Sequence, residues 1–250
     1  MWRGSQRNQR NPKTCEGSGH DCPELSRAFP GILSVLLKRP HTRKRQALSP
    51  LEVNPGPVQP LPAAVAAFLS DASARIEAFF DLWNKSRNLG FFPSDFETVY
   101  PVIKAIRESN PEATRLCEWG SGFGVIAGLG AMLGYQACGI EIDKRCVAAS
   151  RSLLEDHGLD VAILEGSFVP EEYAEQREPT SDGTGTVLSG PGAIDEVDVE
   201  IEDFDLIFAF PWPDEVEMYS DLFARYASVG AILVTYGALD GIRVQRKVEG

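Results

Sequence analysis

Histidine and cysteine are scarce in this chain, which holds three His and five Cys in 250 residues. An odd cysteine count, at Cys15, Cys22, Cys117, Cys138 and Cys146, makes no disulfide framework for a chain of this size and fits a reducing compartment, the cytoplasm. The group Cys15, His20, Cys22 is at most half of a metal site. A closed zinc site needs four ligands, so no metal is expected. Long apolar runs are missing as well. The longest near the start, GILSVLL at 31–37, is too short to cross a bilayer, and its basic cluster follows the apolar run where a secretory leader has it in front. An Arg-rich start would suit an organellar transit peptide, but Pro12, Glu16 and Asp21 interrupt the amphipathic helix such peptides form.

Positive charge is lacking where a nucleic-acid binder needs it. Residues 1–50 carry ten Lys/Arg against three Asp/Glu, which leaves 14 against 33, or net −19, for the rest. Such a body repels phosphate backbones, so nucleic acid is an unlikely partner. With 43% hydrophobic and 24% charged residues, the chain can bury an ordinary core, which excludes a collagen-like, disulfide-scaffold or wholly disordered chain.

Residues 1 to about 59 lack apolar periodicity and run into SPLEVNPGPVQP at 49–60, whose four prolines favour an extended linker. They read as a disordered basic tail that cofactor binding does not need, and the bland alternative is an over-long reading of the true start. Over 60–110, Val65, Phe68, Leu69, Ala72, Ile76, Phe79, Phe80 and Trp83 fall at helical spacing, and a second helix follows a Ser94/Asp95 cap. From 111 to 250 the pattern alternates. Strand-like runs at 114–119, 136–142, 160–164, 204–210 and 230–236 are separated by helix-like stretches at about 123–134, 144–156 and 214–228. Alternation of this kind means an α/β fold, a doubly wound and mostly parallel sheet, here with N-terminal accessory helices. The acidic stretch 170–203 holds eleven Asp/Glu from Glu171 to Asp203 against one Arg177. It reads as a disordered loop before it reads as a functional one, with a short edge strand at Val197, Val199, Ile201 as the alternative. Only GIRVQRKVEG follows Leu239-Asp240. A final hairpin is therefore expected to be short or absent, leaving a sheet edge open to another chain.

The first strand of the alternating region runs into Glu118-Trp119-Gly120-Ser121-Gly122-Phe123-Gly124. Glycines at 120, 122 and 124 let the backbone turn sharply and approach a ligand. The next strand ends in Glu141, nineteen residues after Gly122, followed by Ile142. A carboxylate there accepts both hydroxyls of a ribose. Dinucleotide sites use G-x-G-x-x-G facing a pyrophosphate, which an acid such as Glu118 would repel, whereas a sulfonium or ammonium group beside it is attracted. S-adenosylmethionine therefore suits the pattern better than NAD.

On the acid followed by G-x-G-x-G, at Glu118, Gly120, Gly122 and Gly124, the sequence resembles the class I S-adenosylmethionine-dependent methyltransferases over about residues 91–236. The resemblance implies a Rossmann-like fold, with Glu118 and the glycine loop including Ser121 on the methionine part and Glu141 on the ribose. It also implies that Ser167 and Phe168 border the adenine, that Ser94 and Asp95 cover the cofactor, and that Phe210, Pro211 and Trp212 line the acceptor pocket. Family members often have aspartate where Ser167 stands, and enzymes acting on exocyclic base nitrogens carry a polar residue where Phe210 stands. Base methylation is thus disfavoured, and an alkyl amine or a flat apolar acceptor fits the aromatic pair better. The expected activity is methyl transfer to a protein side chain or small molecule, with no universal catalytic residue implied. A non-catalytic S-adenosylmethionine-binding protein is the alternative, and an NAD-dependent oxidoreductase is opposed by the spacing. His157, at a helix end, reads as structural, and Cys117, Cys138 and Cys146 as buried small hydrophobes.

Overall fold

The computed structural model describes residues 47–83, 92–176, 185–188, 192–193 and 199–250. Of the basic tail, residues 1–46 lie outside the described residues, and so does the Cys15, His20, Cys22 group. Strands β1 (Ala47–Pro50), β2 (Arg115–Trp119), β3 (Gln136–Glu141), β4 (Ala162–Glu165), β5 (Leu206–Ala209), β6 (Ile232–Gly237) and β7 (Gly241–Val248) form one sheet in the order β1-β7-β6-β5-β2-β3-β4. Neighbours from β6 to β4 are parallel, and β7 is antiparallel to both β6 and β1. The architecture is the expected doubly wound α/β sheet. Its strand order reverses between β2 and β5, where such sheets open a crevice at their carboxyl ends.

Strand alternation divides the core into two layers. Leu116 faces the layer built with helices α1 (Ala63–Trp83), α2 (Phe96–Ser109), α3 (Val125–Met132) and α4 (Lys144–Asp156). Cys117 and Trp119 face the layer built with α5 (Glu171–Ala174) and α6 (Val216–Tyr226). The accessory helix α1 buries Val65, Phe68, Leu69, Ala72 and Ile76. It packs on α3 at Gly128, where a Cβ would come within 2.5 Å of Phe68 Cζ. Polar contacts tie its outer side to the end of α4: Arg75 donates to Asp156 at 2.7 Å, and His157 Nε2 lies 2.9 Å from Asp71. His157 is structural, as expected.

Three expectations need correction. The boundary at residue 59 is too late, because β1 pairs with β7 from Ala47↔Val248 to Pro50↔Gln245, and the Leu51 N–H donates to Val244 at 2.9 Å. The final hairpin is neither short nor absent: β7 has eight residues, turned out of β6 through Gly241 at φ +72°. The sheet edge it would leave open is covered by the chain's own β1, a sufficient physical reason for four residues without strong strand propensity to order. Thirdly, Ile201–Asp203 form a 3-10 turn and not an edge strand, with Val199 and Ile201 buried in the second layer, while Val197 lies outside the described residues.

Removal of β1 has a measurable consequence. A chain starting at Gln59 loses this pairing and is expected to melt about 5–10 °C below one starting at Ala47, given roughly 2–4 kcal/mol for a short edge strand with half-buried Leu48, Leu51 and Val53. Thermal melts of the two chains, with sedimentation to detect pairing of the bared β7 edge, check this. Equal melting and no association would mean β1 contributes nothing.

Candidate functional site

A cavity of about 640 Å³ opens at the carboxyl ends of β2 to β6, next to the reversal of strand order. On one side it is walled by the residues that follow β2, β3 and β4, including Gly120, Glu141, Ile142, Ser167 and Phe168. On the other it meets Phe210, Pro211 and Trp212 after β5 and the turn Gly237–Asp240 between β6 and β7.

The glycine turn holds its shape through backbone angles that only glycine adopts easily: Gly120, Gly122 and Gly124 have φ of +66°, +52° and +66°. Of the three, Gly120 lines the cavity, and a Cβ there would meet no protein atom within 4 Å, so it would project into open space. The turn packs closely on β3, where a Cβ on Gly139 would sit 2.7 Å from the Ser121 side chain. Ser121, Gly122 and Gly124 stand behind the wall as the frame of the turn.

Glu118 also stands behind the wall. On β2 its side chain points away from Trp119's layer, and its Oε2 accepts the Ala127 N–H at 2.9 Å in the first turn of α3, whose N-cap Gly124 supplies no side chain. Burial pushes this carboxyl up from its ordinary 4.5 to about 8, against the opposing pull of the Ala127 and Ile126 N–H groups. Glu141 stands on the wall itself. Its Oε2 accepts the Gly122 N–H and its Oε1 the Asp143 N–H, both at 2.7 Å. Burial raises its pKa, and backbone N–H donors partly offset this. Each carboxylate oxygen has a second acceptor site, so two hydroxyls of a ribose still find partners there.

Ser167 is buried and committed internally: its Oγ accepts from Val169 N at 3.1 Å and donates to the Val187 carbonyl at 3.4 Å. That leaves it little capacity for an adenine amino group. Phe168 is stacked on Trp119, with ring centroids 5.0 Å apart at 9°. Ser94 and Asp95 do not line this cavity, which corrects their expected role. They border a separate groove beside α1, and Asp95 caps α2 by accepting the Thr98 N–H at 3.1 Å.

The acidic stretch supplies part of the wall. Thr186 and Val187 line the cavity, with the Thr186 N–H donating to Glu215 Oε1 at 2.8 Å and its hydroxyl to Glu215 Oε2 at 2.6 Å. Thr186 Oγ1 also lies 2.8 Å from the Tyr219 hydroxyl. This corrects the reading of the stretch as simply disordered for 185–188, while 177–184, 189–191 and 194–198 lie outside the described residues. The physical reason is a carboxylate after β5 that receives two donors from one threonine.

Aromatic residues shape the rest. Phe92 meets Trp212 edge to face at 5.6 Å, and Phe210 meets Tyr236 likewise at 5.0 Å. Phe79 of the accessory helix lines the cavity as well. Burial pushes the Tyr219 phenol up, and the Cys146 thiol up to about 12, so both walls hold neutral groups there at physiological pH. Sequence reasoning missed Phe79, Thr186, Tyr219 and the Gly237–Asp240 turn. The signals that could have found them are weak: a helix stripe with one aromatic too many, and a Gly-x-x-x-Gly hairpin.

No family model and no curated protein matches the chain. Among solved structures it is similar to a methyltransferase from Geobacter sulfurreducens, at 17% identity and TM-score 0.44, over 76% of this chain and 93% of that one. It is similar to an O-methyltransferase from Bacillus cereus in complex with SAH, at 13% identity and TM-score 0.44, over 70% and 66%. An RNA methyltransferase from Salinibacter ruber in complex with S-adenosyl-L-homocysteine gives 19% identity and TM-score 0.38, over 60% and 91%. These are resemblances in outline.

Proposed function

We propose that the chain is an S-adenosylmethionine-dependent methyltransferase acting on a protein side chain or a small molecule. The observation that carries this reading is the continuity of one cavity from the glycine turn and Glu141 to the aromatic loop after β5. A methyl donor and an acceptor lie in line only if their sites share such a space. Glu141 would hold the ribose, Gly120 would let the methionine part approach the backbone, and Phe168 would border the adenine. S-adenosylmethionine supplies an electrophilic methyl on a positive sulfur. The protein's part is to align the acceptor and exclude water, which the buried Trp119, Phe168 and Tyr219 are placed to do.

In this reading residues 111–250 are the methyltransferase domain, 60–110 its accessory helices, and β1 its edge. The cytoplasm is the proposed location, supported by three free, buried cysteines at 117, 138 and 146. No helix among the described residues is long and apolar enough to cross a membrane. Nucleic acid is disfavoured as acceptor because no Lys, Arg or His is among the described residues that line the cavity.

Calorimetric titration with S-adenosylhomocysteine and with NAD tests the reading. The first is expected to bind with a Kd of about 1–100 μM and the second not at all, since the G-x-G-x-G turn departs from the G-x-G-x-x-G spacing of a pyrophosphate site. Binding of NAD alone would replace the methyltransferase by an oxidoreductase. Binding of S-adenosylhomocysteine with no acceptor methylated in an extract would favour a non-catalytic binder.

A further inference from the structure

The acceptor side of the cavity is built from the carboxyl ends of β5 and β6. It is aromatic at Phe92, Phe210 and Trp212, and the one carboxylate among its described lining residues is Asp240, in the β6–β7 turn. Across the whole described lining the charged groups are Glu141, Asp143 and Asp240, all acids. The mouth is apolar: Phe92 is 60% exposed, Val187 47% and Leu239 93%, three of the seven large hydrophobic side chains left in water among the described residues. A described lining whose charged groups are all acids repels phosphate and carboxylate acceptors, and aromatic rings with a carboxylate attract a cationic nitrogen.

Resting on the methyl-transfer reading, we propose that the acceptor is a primary or secondary alkyl amine whose nitrogen sits among Phe92, Phe210 and Trp212 beside Asp240, and whose alkyl chain runs out along Leu239 and Val187. The reaction balances without a buried base. The amine gives up its ammonium proton to water at the open mouth, and its lone pair then forms the N–C bond. The C–S bond breaks with its electrons going to sulfur, leaving a neutral thioether and a methylated ammonium. One positive charge moves from sulfur to nitrogen within a wall of carboxylates and aromatic rings, so no charge is created or destroyed in the low-dielectric space. An alcohol acceptor would instead have to lose its proton during the attack itself, which calls for a base in contact with the reacting oxygen.

Three four-carbon probes separate the chemistries: n-butylamine, n-butanol and butyrate, titrated by calorimetry into the full chain saturated with S-adenosylhomocysteine. The amine is expected to bind about 10-fold tighter than the alcohol, and the acid not at all. Trp212→Ala should weaken the amine about 10-fold and Trp212→Phe restore most of the loss, with S-adenosylhomocysteine affinity within about 2-fold of wild type throughout. Asp240→Asn should weaken the amine and leave butanol unchanged. Labelled methyl transfer then distinguishes sources, with butylamine standing for a free amine and a lysine-containing peptide for a protein; label on either supports the proposal. Equal binding of alcohol or acid, or label on phenol or adenosine monophosphate but on neither amine, overturns it while the methyl-transfer reading stands. Failure to bind S-adenosylhomocysteine at all removes that reading and this inference together.

Discussion

Replacing Glu141 by alanine is expected to weaken S-adenosylhomocysteine binding roughly 10- to 150-fold, equivalent to about 1.5–3 kcal/mol for hydroxyl hydrogen bonds to a charged acceptor. The mutant should also be less stable, which the residue's position at a strand end does not by itself suggest. Glu141 accepts the N–H of Gly122 and the N–H of Asp143, so it clamps the glycine turn to the segment after β3. Alanine leaves both donors without their partner, at about 1–3 kcal/mol. Glu141→Gln separates the two effects, because an amide keeps one acceptor oxygen for the clamp and loses the charge. Calorimetry with S-adenosylhomocysteine and urea melts of both variants make the measurement. An alanine variant with wild-type affinity would remove the ribose role. One with wild-type stability would mean that the turn is held by its glycine geometry alone.

Glu118 gives the second large effect, and it is a dependence on pH. A carboxyl raised to about 8 in the fold and near 4.5 when unfolded keeps a proton that the unfolded chain has released. Unfolded protein thus binds fewer protons between those values, so stability falls as pH rises from about 4.5 to about 8. The range of the loss is roughly 3–5 kcal/mol. In Glu118→Gln this part of the slope should vanish, while the amide oxygen still accepts the Ala127 N–H that starts α3. Denaturant melts at pH 5 and pH 8 read the difference directly. Cofactor affinity should move in the opposite sense. A cationic methionine end in front of the turn favours the ionised form, so wild-type affinity should rise about 10-fold between pH 6 and pH 8 and that of Glu118→Gln should stay flat. If wild type and mutant share one pH profile for both stability and affinity, Glu118 carries no titrating charge.

Much of this was legible in the residues because it is local. The alternation of five apolar runs with amphipathic stretches carries the sheet, and the glycine spacing with two acids at 118 and 141 carries the turn and the carboxylate facing the cavity. What was not legible depends on partners that the neighbouring residues do not announce. Glu118 has the residue type of a ligand contact, yet its nearest described partner is the first turn of a helix nine residues on. Thr186 sits in a composition typical of solvated chain, and nothing nearby announces that Glu215 and Tyr219 will receive it. The Ala47–Pro50 strand has no periodicity to detect, because its order comes from an edge that forms two hundred residues later.

That separation also bears on how the molecule comes into being. Ala47 pairs with Val248, so the first described strand of the chain waits for the last before it finds a partner. On a ribosome that emits about 5–20 residues per second, β1 stays unpaired for on the order of 10–40 s, longer than the central parallel strands need to meet. The core can therefore assemble around β2 to β6 before β7 is made and while β1 is still waiting, and docking of β1 on β7 closes the fold as a late event of high contact order. Nascent chains stalled short of Gly241 would present β6 as a bare edge, the form of this protein most exposed to aggregation.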